Sequence, residues 1–442
     1  MLEGLSSLLW GWHVLAGILA AGAYFSLAAG FYQLRRLGTW LKAALCPCPG
    51  ERGAVSSFQA LATALAGSIG TGNIVGVGVA IAAGGPGALF WMWVSALLGM
   101  MTLYAENVLS ARHRQAPGPL GYIRRAGRWG RQLAWLYGAG CCLSSLAMGN
   151  MAQSNAAAAA LEELGIPPWA AAVGMGALAF FAARGGLALG VRITQRLVPA
   201  MTLLFFGASL WVLWVFRENL PAAVESIFAG AFSLRAGAGG TAGWLIALRV
   251  GVSRGVFTNE AGLGSASFAY QGVDRSPEEL GCLGIFQVFA DTILMCTVTG
   301  LCILCCRSPV EEGAALALYA YQAALGPWGG RVISLCTALF ALATVTAWSC
   351  YGREGLFYLT KGRGGDLFAL ASAAAACLGC LLPLGAVFRL GDAMNGLLAL
   401  PNLAALFLLS REVVEAAAGE KPGQNRPPKK WMESLHNFLK RA

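Results

Sequence analysis

Two stretches of an otherwise apolar chain hold hydrogen-bonding side chains among glycines. Residues 67–87 read GSIGTGNIVGVGVAIAAGGPG and carry Ser68, Thr71 and Asn73; residues 251–266 read GVSRGVFTNEAGLGSA and carry Arg254, Thr258, Asn259 and Glu260. Glycine in a helix interior costs roughly 1 kcal/mol against alanine, so its clustering in membrane-length apolar sequence needs a purpose. A phosphate-cradling loop would require a preceding strand and a third glycine where Val75 stands, so Gly70-x-Gly72 fails as a dinucleotide motif. Close helix packing through Gly72-x-x-x-Gly76 would explain Gly76, Gly78 and Gly84, but gives Ser68, Thr71 and Asn73 no role. A break in each helix explains both kinds of residue. The freed N–H groups of a half-helix can meet a carboxylate, and freed carbonyls can meet a hard cation.

The elements that must hold such groups are membrane spans. The chain has 442 residues, 57% hydrophobic and 12% charged. A soluble domain carries about twice that charge, and apolar runs of about 20 residues recur, the length that crosses a ~30 Å hydrocarbon core. The fold class is therefore an all-α polytopic membrane protein with about 11 transmembrane helices. They lie near 10–33, 56–82, 87–110, 133–160, 167–184, 195–216, 241–270, 281–304, 330–358, 366–387 and 392–410. Segments 219–234 and 311–327 are too short or too polar to span and read as surface helices or caps.

The formal charge of +10 comes from short connections and the tail rather than from one face of a domain, so it indicates topology and no nucleic-acid partner. Arg35, Arg36, Lys42 and Arg52, then the run from Arg112 to Arg131, then Arg184, Arg192 and Arg196, then Lys361, Arg363 and the tail all fall on one side. That side reads as cytoplasmic, with the N-terminus outside and the C-terminus inside a plasma (inner) membrane. In the tail, Trp431, Leu435, Phe438 and Leu439 recur at helical spacing against basic residues, which suits either a helix lying on an anionic leaflet or a frayed tail. The thirteen cysteines lie mostly in apolar runs and the three histidines are far apart, so neither a metal centre nor an enzyme is indicated.

By the count of basic loops, the second and seventh spans run in opposite directions, and they are five spans apart. Interrupted helices at matching places of two inverted halves point to a transporter binding site. The domain division follows: 1–55, a peripheral first helix and its connection; 56–217, a first inverted repeat; 218–410, a second; and 411–442, a basic tail.

The chain resembles the alanine or glycine:cation symporter family. The resemblance rests on GSIGTGNIVGVGVAIAAGGPGALFWMWVSALLGM, GNMAQ at 149–153, RGVFTNEAGLGSA at 254–266, FADT at 289–292 with CTVT at 296–299, and MNGLLALPNLAAL at 394–406. It runs from about residue 10 to residue 411. It implies one peripheral helix beside a 5+5 inverted-repeat core of the leucine-transporter (LeuT) fold with two broken helices. The implied function is symport of a small neutral amino acid with Na⁺ as the coupling ion, H⁺ being the alternative.

Carried onto these residues, the resemblance implies a carboxylate held by the backbone near Thr71 and Gly72, with Ser68 and Asn73 beside it. Asn73 serves equally well as a cap on the half-helix. Gln153 would reach the substrate's polar end or make an interhelical hydrogen bond. Thr344 and Trp348, one helical turn apart, would wall the side-chain pocket opposite Phe257 and Thr258. Na⁺ would take the carbonyls of Ala66 and Ile69 and the hydroxyl of Thr344. Family members usually carry a second threonine where Ala343 stands, and many carry a lysine at Leu103. Acids at membrane depth are functional candidates by default. Asp291 and Glu260 are the deepest and Glu106 is nearer the cytoplasmic end; Arg254 is a candidate ion-pair partner for Glu260. The oligomeric state is not legible.

Overall fold

The computed structural model describes Gly4 and residues 9–46, 55–233, 243–307 and 313–419, and every regular element among them is helical. The principal helices are α1 (Trp12–Ala28), α2 (Ser57–Ser68), α3 (Val75–Gly84), α4 (Gly87–Arg112), α5 (Gly130–Ser144), α6 (Gln153–Glu163), α7 (Pro168–Val215), α8 (Leu220–Ala231) and α9 (Gly243–Asn259). They continue with α10 (Pro277–Val288), α11 (Thr297–Cys306), α12 (Gly313–Leu325), α13 (Pro327–Thr360), α14 (Gly365–Leu381), α15 (Leu384–Leu408) and α16 (Ser410–Ala417). A π-helical segment, Ser145–Ala152, joins α5 to α6, and a second, Phe289–Cys296, joins α10 to α11.

Local sequence sets several of these boundaries. Ser56 and Gln59 form a reciprocal capping box at the start of α2, and Ser276 with Glu279 repeats it before Pro277 at the start of α10. Among the described residues, five helical stretches are long and apolar enough to cross a membrane unaided: Gly87–Arg112, Pro168–Val215, Pro277–Cys306, Pro327–Thr360 and Leu384–Leu408. Within their most apolar windows, 78% of α13 is buried against 28% of α7, which makes α13 the central post and α7 an outer wall facing lipid. α13 packs against α7, α6, α5 and α2, while α4 packs against α9, α10 and α1.

The structure moves some of the expected boundaries. The fifth and sixth spans form one 48-residue helix, α7, with a single non-helical residue at Gly186 (φ 61°, ψ −163°). At 1.5 Å per residue this is about 72 Å of helix, so the kink divides it into two passes without a separate loop. The turn between the last two spans falls at Leu382–Pro383 rather than near residue 390, because Pro383 caps α15. Segments 219–234 and 311–327 contain the short helices α8 and α12. The tail helix expected near 431–439 lies outside the described residues.

Candidate functional site

α2 stops at Ser68 and α3 begins at Val75. Between them Gly70 is extended (φ −122°, ψ −162°) and Thr71–Asn73 make one tight turn. The amide hydrogens released by the break go to side chains. Gly70 N–H donates to Asn73 Oδ1 at 3.0 Å, and Thr71 donates from both its N–H and its hydroxyl to Gln153 Oε1, at 3.1 and 3.0 Å. On the carbonyl side, Ile69 C=O accepts from the Thr344 hydroxyl at 3.4 Å. A Cβ on Gly70 would stand 2.7 Å from Thr344 Oγ1 and 2.9 Å from Gln153 Oε1, so the residue is held to glycine by space.

The second break is narrower than the sequence suggests and occupies the later part of 251–266. α9 runs unbroken to Asn259, and the irregular stretch is Glu260–Gly264, where Glu260, Gly262 and Gly264 all have positive φ (60°, 96° and 77°). Gly251 and Gly255, read as part of the interruption, are packing glycines: added Cβ atoms would meet Ala88 O at 2.3 Å and Ser95 Oγ at 2.3 Å on α4. In α3, beyond the first break, Gly78 packs against Gly313 in the same sense, whereas Gly76 faces open space. Left-handed backbone at an acidic residue such as Glu260 is sparsely populated and has to be enforced by its surroundings. Those surroundings are on hand. Glu260 Oε1 accepts from Trp348 Nε1 at 2.7 Å and Oε2 from Ser265 Oγ; Gly262 N–H donates to Glu106 Oε1 at 2.9 Å; Tyr137 donates to Leu263 C=O at 2.8 Å. Asn402 Nδ2 reaches both Gly262 C=O (2.9 Å) and Glu106 Oε1 (2.7 Å).

The two breaks meet. A Cβ on Gly72 would lie 2.8 Å from Thr258 Cγ2 and 3.6 Å from Phe257 Cδ1, so the α3 half-helix starts directly against the end of α9. A buried polar chain continues the junction: Asn73 Nδ2 donates to Asp291 Oδ1 at 2.8 Å, Thr292 donates to Asp291 Oδ2 at 2.8 Å, and Asn259 Nδ2 donates to Thr292 at 3.2 Å. Thr71, Asn73, Asn259, Glu260, Asp291 and Thr292 are all fully buried.

Of the residues singled out from sequence, Thr71, Gly72, Asn73, Gln153, Phe257, Thr258, Thr344 and Ile69 converge on this junction. Trp348 meets the second break through Glu260. Ser68 turns back on its own helix, donating to Ala64 C=O at 3.4 Å while accepting from Gln287 at 3.4 Å, and Ala66 is wholly buried in the last turns of α2. The expected Glu260–Arg254 pair does not form. Arg254 Nη2 instead meets Asp392 Oδ2 at 2.9 Å, with its guanidinium over the rings of Phe257 (5.2 Å) and Phe388 (5.3 Å). Sequence reasoning missed Thr292, Gln287 and Asn402; Asn402 carried a signal, a lone amide after Pro401 in an apolar run.

Two recesses flank the junction, at opposite ends of α4. One, of about 300 Å³, is lined by Arg249, Ser253, Arg254, Arg389 and Asp392 with Trp10 above. The other, of about 320 Å³, lies between the last turns of α4 and the Tyr270–Gly272 segment. A Cβ on Gly99, near the middle of the 26-residue α4, would stand 3.0 Å from Ala261 Cβ, so the second break packs against the middle of that helix.

This architecture recurs in known proteins. Residues 1–421 match the sodium:alanine symporter family. The chain belongs to that family. Among its relatives are an uncharacterized transporter of Haemophilus influenzae, 36% identical over 432 residues with 94% of each chain covered, and the sodium/alanine symporter AgcS of Methanococcus maripaludis, 35% identical over 437 residues with 94% of this chain and 95% of that one covered. Among solved structures, MhsT in complex with L-phenylalanine superposes with a TM-score of 0.61 at 14% identity, over 88% of this chain and 97% of the other, which establishes the shared fold. Like the rest of this sodium:alanine symporter family, the protein is an amino-acid symporter and a multi-pass membrane protein, not an enzyme.

Proposed function

We propose that the protein imports a small neutral amino acid, alanine or glycine, together with Na⁺ by alternating access between the two recesses. The observation that carries this reading is the position of Gln153 Oε1, which accepts from both the N–H and the hydroxyl of Thr71. An oxygen already sits where a substrate carboxylate would dock at the broken helix, so a carboxylate arriving there takes over donors built to hold one. Gly72 N–H and Asn73 complete that end. In this reading Trp348, Phe257, Thr258 and Thr344 wall the side-chain end of the substrate, and Ala66 and Ile69 carbonyls with the Thr344 hydroxyl form the Na⁺ site.

The division into repeats 56–217 and 218–410 gives these two breaks their opposite polarity. The basic segments support a cytoplasmic side at the far end of α4: Arg275, at the start of α10, bonds Ala43 C=O of the 37–45 helix, and His113 and Arg112 bond Glu412 and Glu415 of α16. The recess at Arg254–Asp392 is then the outward one. The N-terminus lies outside and the C-terminus inside the plasma membrane.

One Na⁺ moving with a zwitterion carries one net charge inward. A 100 mV potential contributes about 2.3 kcal/mol, and a tenfold Na⁺ gradient about 1.4 kcal/mol more. The test is uptake of labelled alanine and glycine into proteoliposomes under imposed gradients. Uptake driven by Na⁺ and lowered by Thr344→Ala is expected; influx indifferent to both Na⁺ and H⁺ gradients would sink the proposal. H⁺ coupling is favoured by one observation, the buried Asp291 bonded between Asn73 and Thr292, and the same assay with an imposed H⁺ gradient tells the two ions apart.

A further inference from the structure

The recess of about 300 Å³ beside Trp10 has an unbalanced charge. Its charged lining residues are Arg249 and Arg254 of α9 and Arg389 and Asp392 of α15. Two of these spend their charges on each other: Arg254 Nη2 meets Asp392 Oδ2 at 2.9 Å, while Arg254 Nη1 and Asp392 Oδ1 are buried out of reach. Arg249 and Arg389 are exposed, and among the described residues neither has an ion-pair partner. Two positive charges therefore stand uncompensated at one recess, and no lining carboxylate is free to accept from an ammonium. The rest of the lining is mostly apolar, with Leu15 of α1, Val79 and Ala83 of α3, and Val250 of α9. Val79 and Ala83 share a helix face with Gly76, which is buried yet would meet nothing within 4 Å if it carried a Cβ, so unfilled space also lies along that face of α3.

We propose that this recess binds a short-chain organic monocarboxylate, its carboxylate paired with Arg249 and Arg389 and its alkyl group against the wall made by α1 and α3, and that the bound acid slows import. The effect on import rests on the reading of the protein as an alternating-access importer; the binding does not. Guanidinium groups pair with carboxylates through two parallel hydrogen bonds, which suits an oxyanion better than a halide. An inorganic ion, at about the 30 Å³ that one water takes up in the liquid, would also leave most of the recess wet. An amino acid brings an ammonium that the two arginines repel and that no free lining carboxylate can accept. The acid that lacks the amine is therefore the better ligand here.

A ligand in this place touches both half-helices. Arg249 lies on α9, which ends at the second break, and Val79 and Ala83 lie on α3, which begins after the first. Trp10 Nε1 donates to Ser253 Oγ at 3.0 Å, which already ties the segment before α1 to α9. A carboxylate shared by Arg249 and Arg389 adds a tie between α9 and α15. It favours the arrangement in which the recess has its present shape and opposes those in which α9 and α15 move apart. The acid and the substrate occupy different places, so excess alanine does not displace the acid, and maximal uptake falls.

The test is equilibrium binding of radiolabelled isovalerate at neutral pH to the purified full-length protein, wild type against Arg249→Gln and Arg389→Gln, with alanine uptake into proteoliposomes measured alongside. The proposal expects saturable binding in wild type and at least about tenfold weaker binding in each variant, the loss of one charge-assisted hydrogen bond. It also expects isovalerate to lower maximal alanine uptake in wild type, and the variants to keep their uptake and lose that inhibition. L-Valine, which is isovalerate with an added ammonium, should displace the label at least tenfold less well than unlabelled isovalerate, and chloride at equal concentration should not displace it. Both arginines are exposed, so the variants should melt as wild type does, and Arg389→Lys, which keeps the charge, should recover part of the affinity. Absence of saturable binding overturns the proposal, as does equal affinity in wild type and both variants, or displacement by valine or chloride as effective as by isovalerate itself. Failure of the transport reading would show separately, as absent wild-type alanine uptake with isovalerate binding intact.

Discussion

Trp348 Nε1 lies 2.7 Å from Glu260 Oε1, so the central helix α13 is tied directly to the acid that opens the second break. Both residues are fully buried. Each satisfies the other's polar atom at a place where water cannot, and Glu260 holds a left-handed backbone (φ 60°) that few acidic residues adopt.

Trp348→Phe keeps an aromatic ring and removes the donor. The orphaned carboxylate oxygen should lower stability by about 1–3 kcal/mol, read as a drop in the melting temperature of the detergent-solubilised protein. Uptake should fall further than the loss of folded protein explains, because the lost bond also positions the break. A melting temperature and uptake equal to wild type would mean that the bond is dispensable.

Gly70→Ala and Gly76→Ala make a matched pair. The first places a Cβ 2.7 Å from Thr344 Oγ1 and 2.9 Å from Gln153 Oε1, and the second meets nothing within 4 Å. Gly70→Ala should abolish uptake while Gly76→Ala leaves it within about twofold and stabilises α3 by up to about 1 kcal/mol. Equal activity in the two variants would contradict the crowding assigned to the first break.

Gln153→Glu puts a negative charge at the atom that accepts from Thr71. Substrate carboxylate should then be repelled, and half-maximal uptake should require at least tenfold more substrate, an effect of about 1.4 kcal/mol. Gln153→Leu, which leaves two Thr71 donors unpaired, should lower maximal uptake instead. Saturation curves for the two variants separate these outcomes; an unchanged half-saturation in Gln153→Glu would remove Gln153 from the carboxylate site.

Arg254 and Asp392 pair in the lining of the recess beside Trp10, with side chains 15% and 11% exposed. Asp392→Asn should weaken the protein by less than the about 3–5 kcal/mol of a wholly buried pair, and should raise the rate at which a small thiol reagent modifies the native Cys296, which lies 3.5 Å from Asn73 Nδ2 at the junction. Arg254→Lys should restore little, since lysine has neither the guanidinium fork nor the flat face that stacks on Phe257 and Phe388. Labelling no faster than in wild type would show that the pair is no barrier.

How far these features could be read from sequence depended on what distinguishes them locally. The first break was legible because Ser68, Thr71 and Asn73 share it with the glycines, and lipid offers such groups no partner. The second was drawn too wide: the irregular backbone is Glu260–Gly264, inside the expected 251–266. Gly251 and Gly255 are indistinguishable in sequence from Gly262 and Gly264, yet the first two admit α4 and the last two bend the chain. The partner of Arg254 was illegible because Asp392 is 138 residues away. A nearer acid, Glu260, looked equally suitable until the fold aimed it at Trp348.

The π-helical segment Ser145–Ala152 ends immediately before Gln153. A wide turn takes up about one residue more than an ordinary one. Deleting a single residue there would leave an unbroken rod, but everything beyond it would be rotated by about 100°. Gln153 would then swing away from Thr71 with no change in composition, no lost charge and no exposed core. The angular phase of α6 is thus stored in a surplus residue upstream, and a length change in this segment is more damaging than most substitutions.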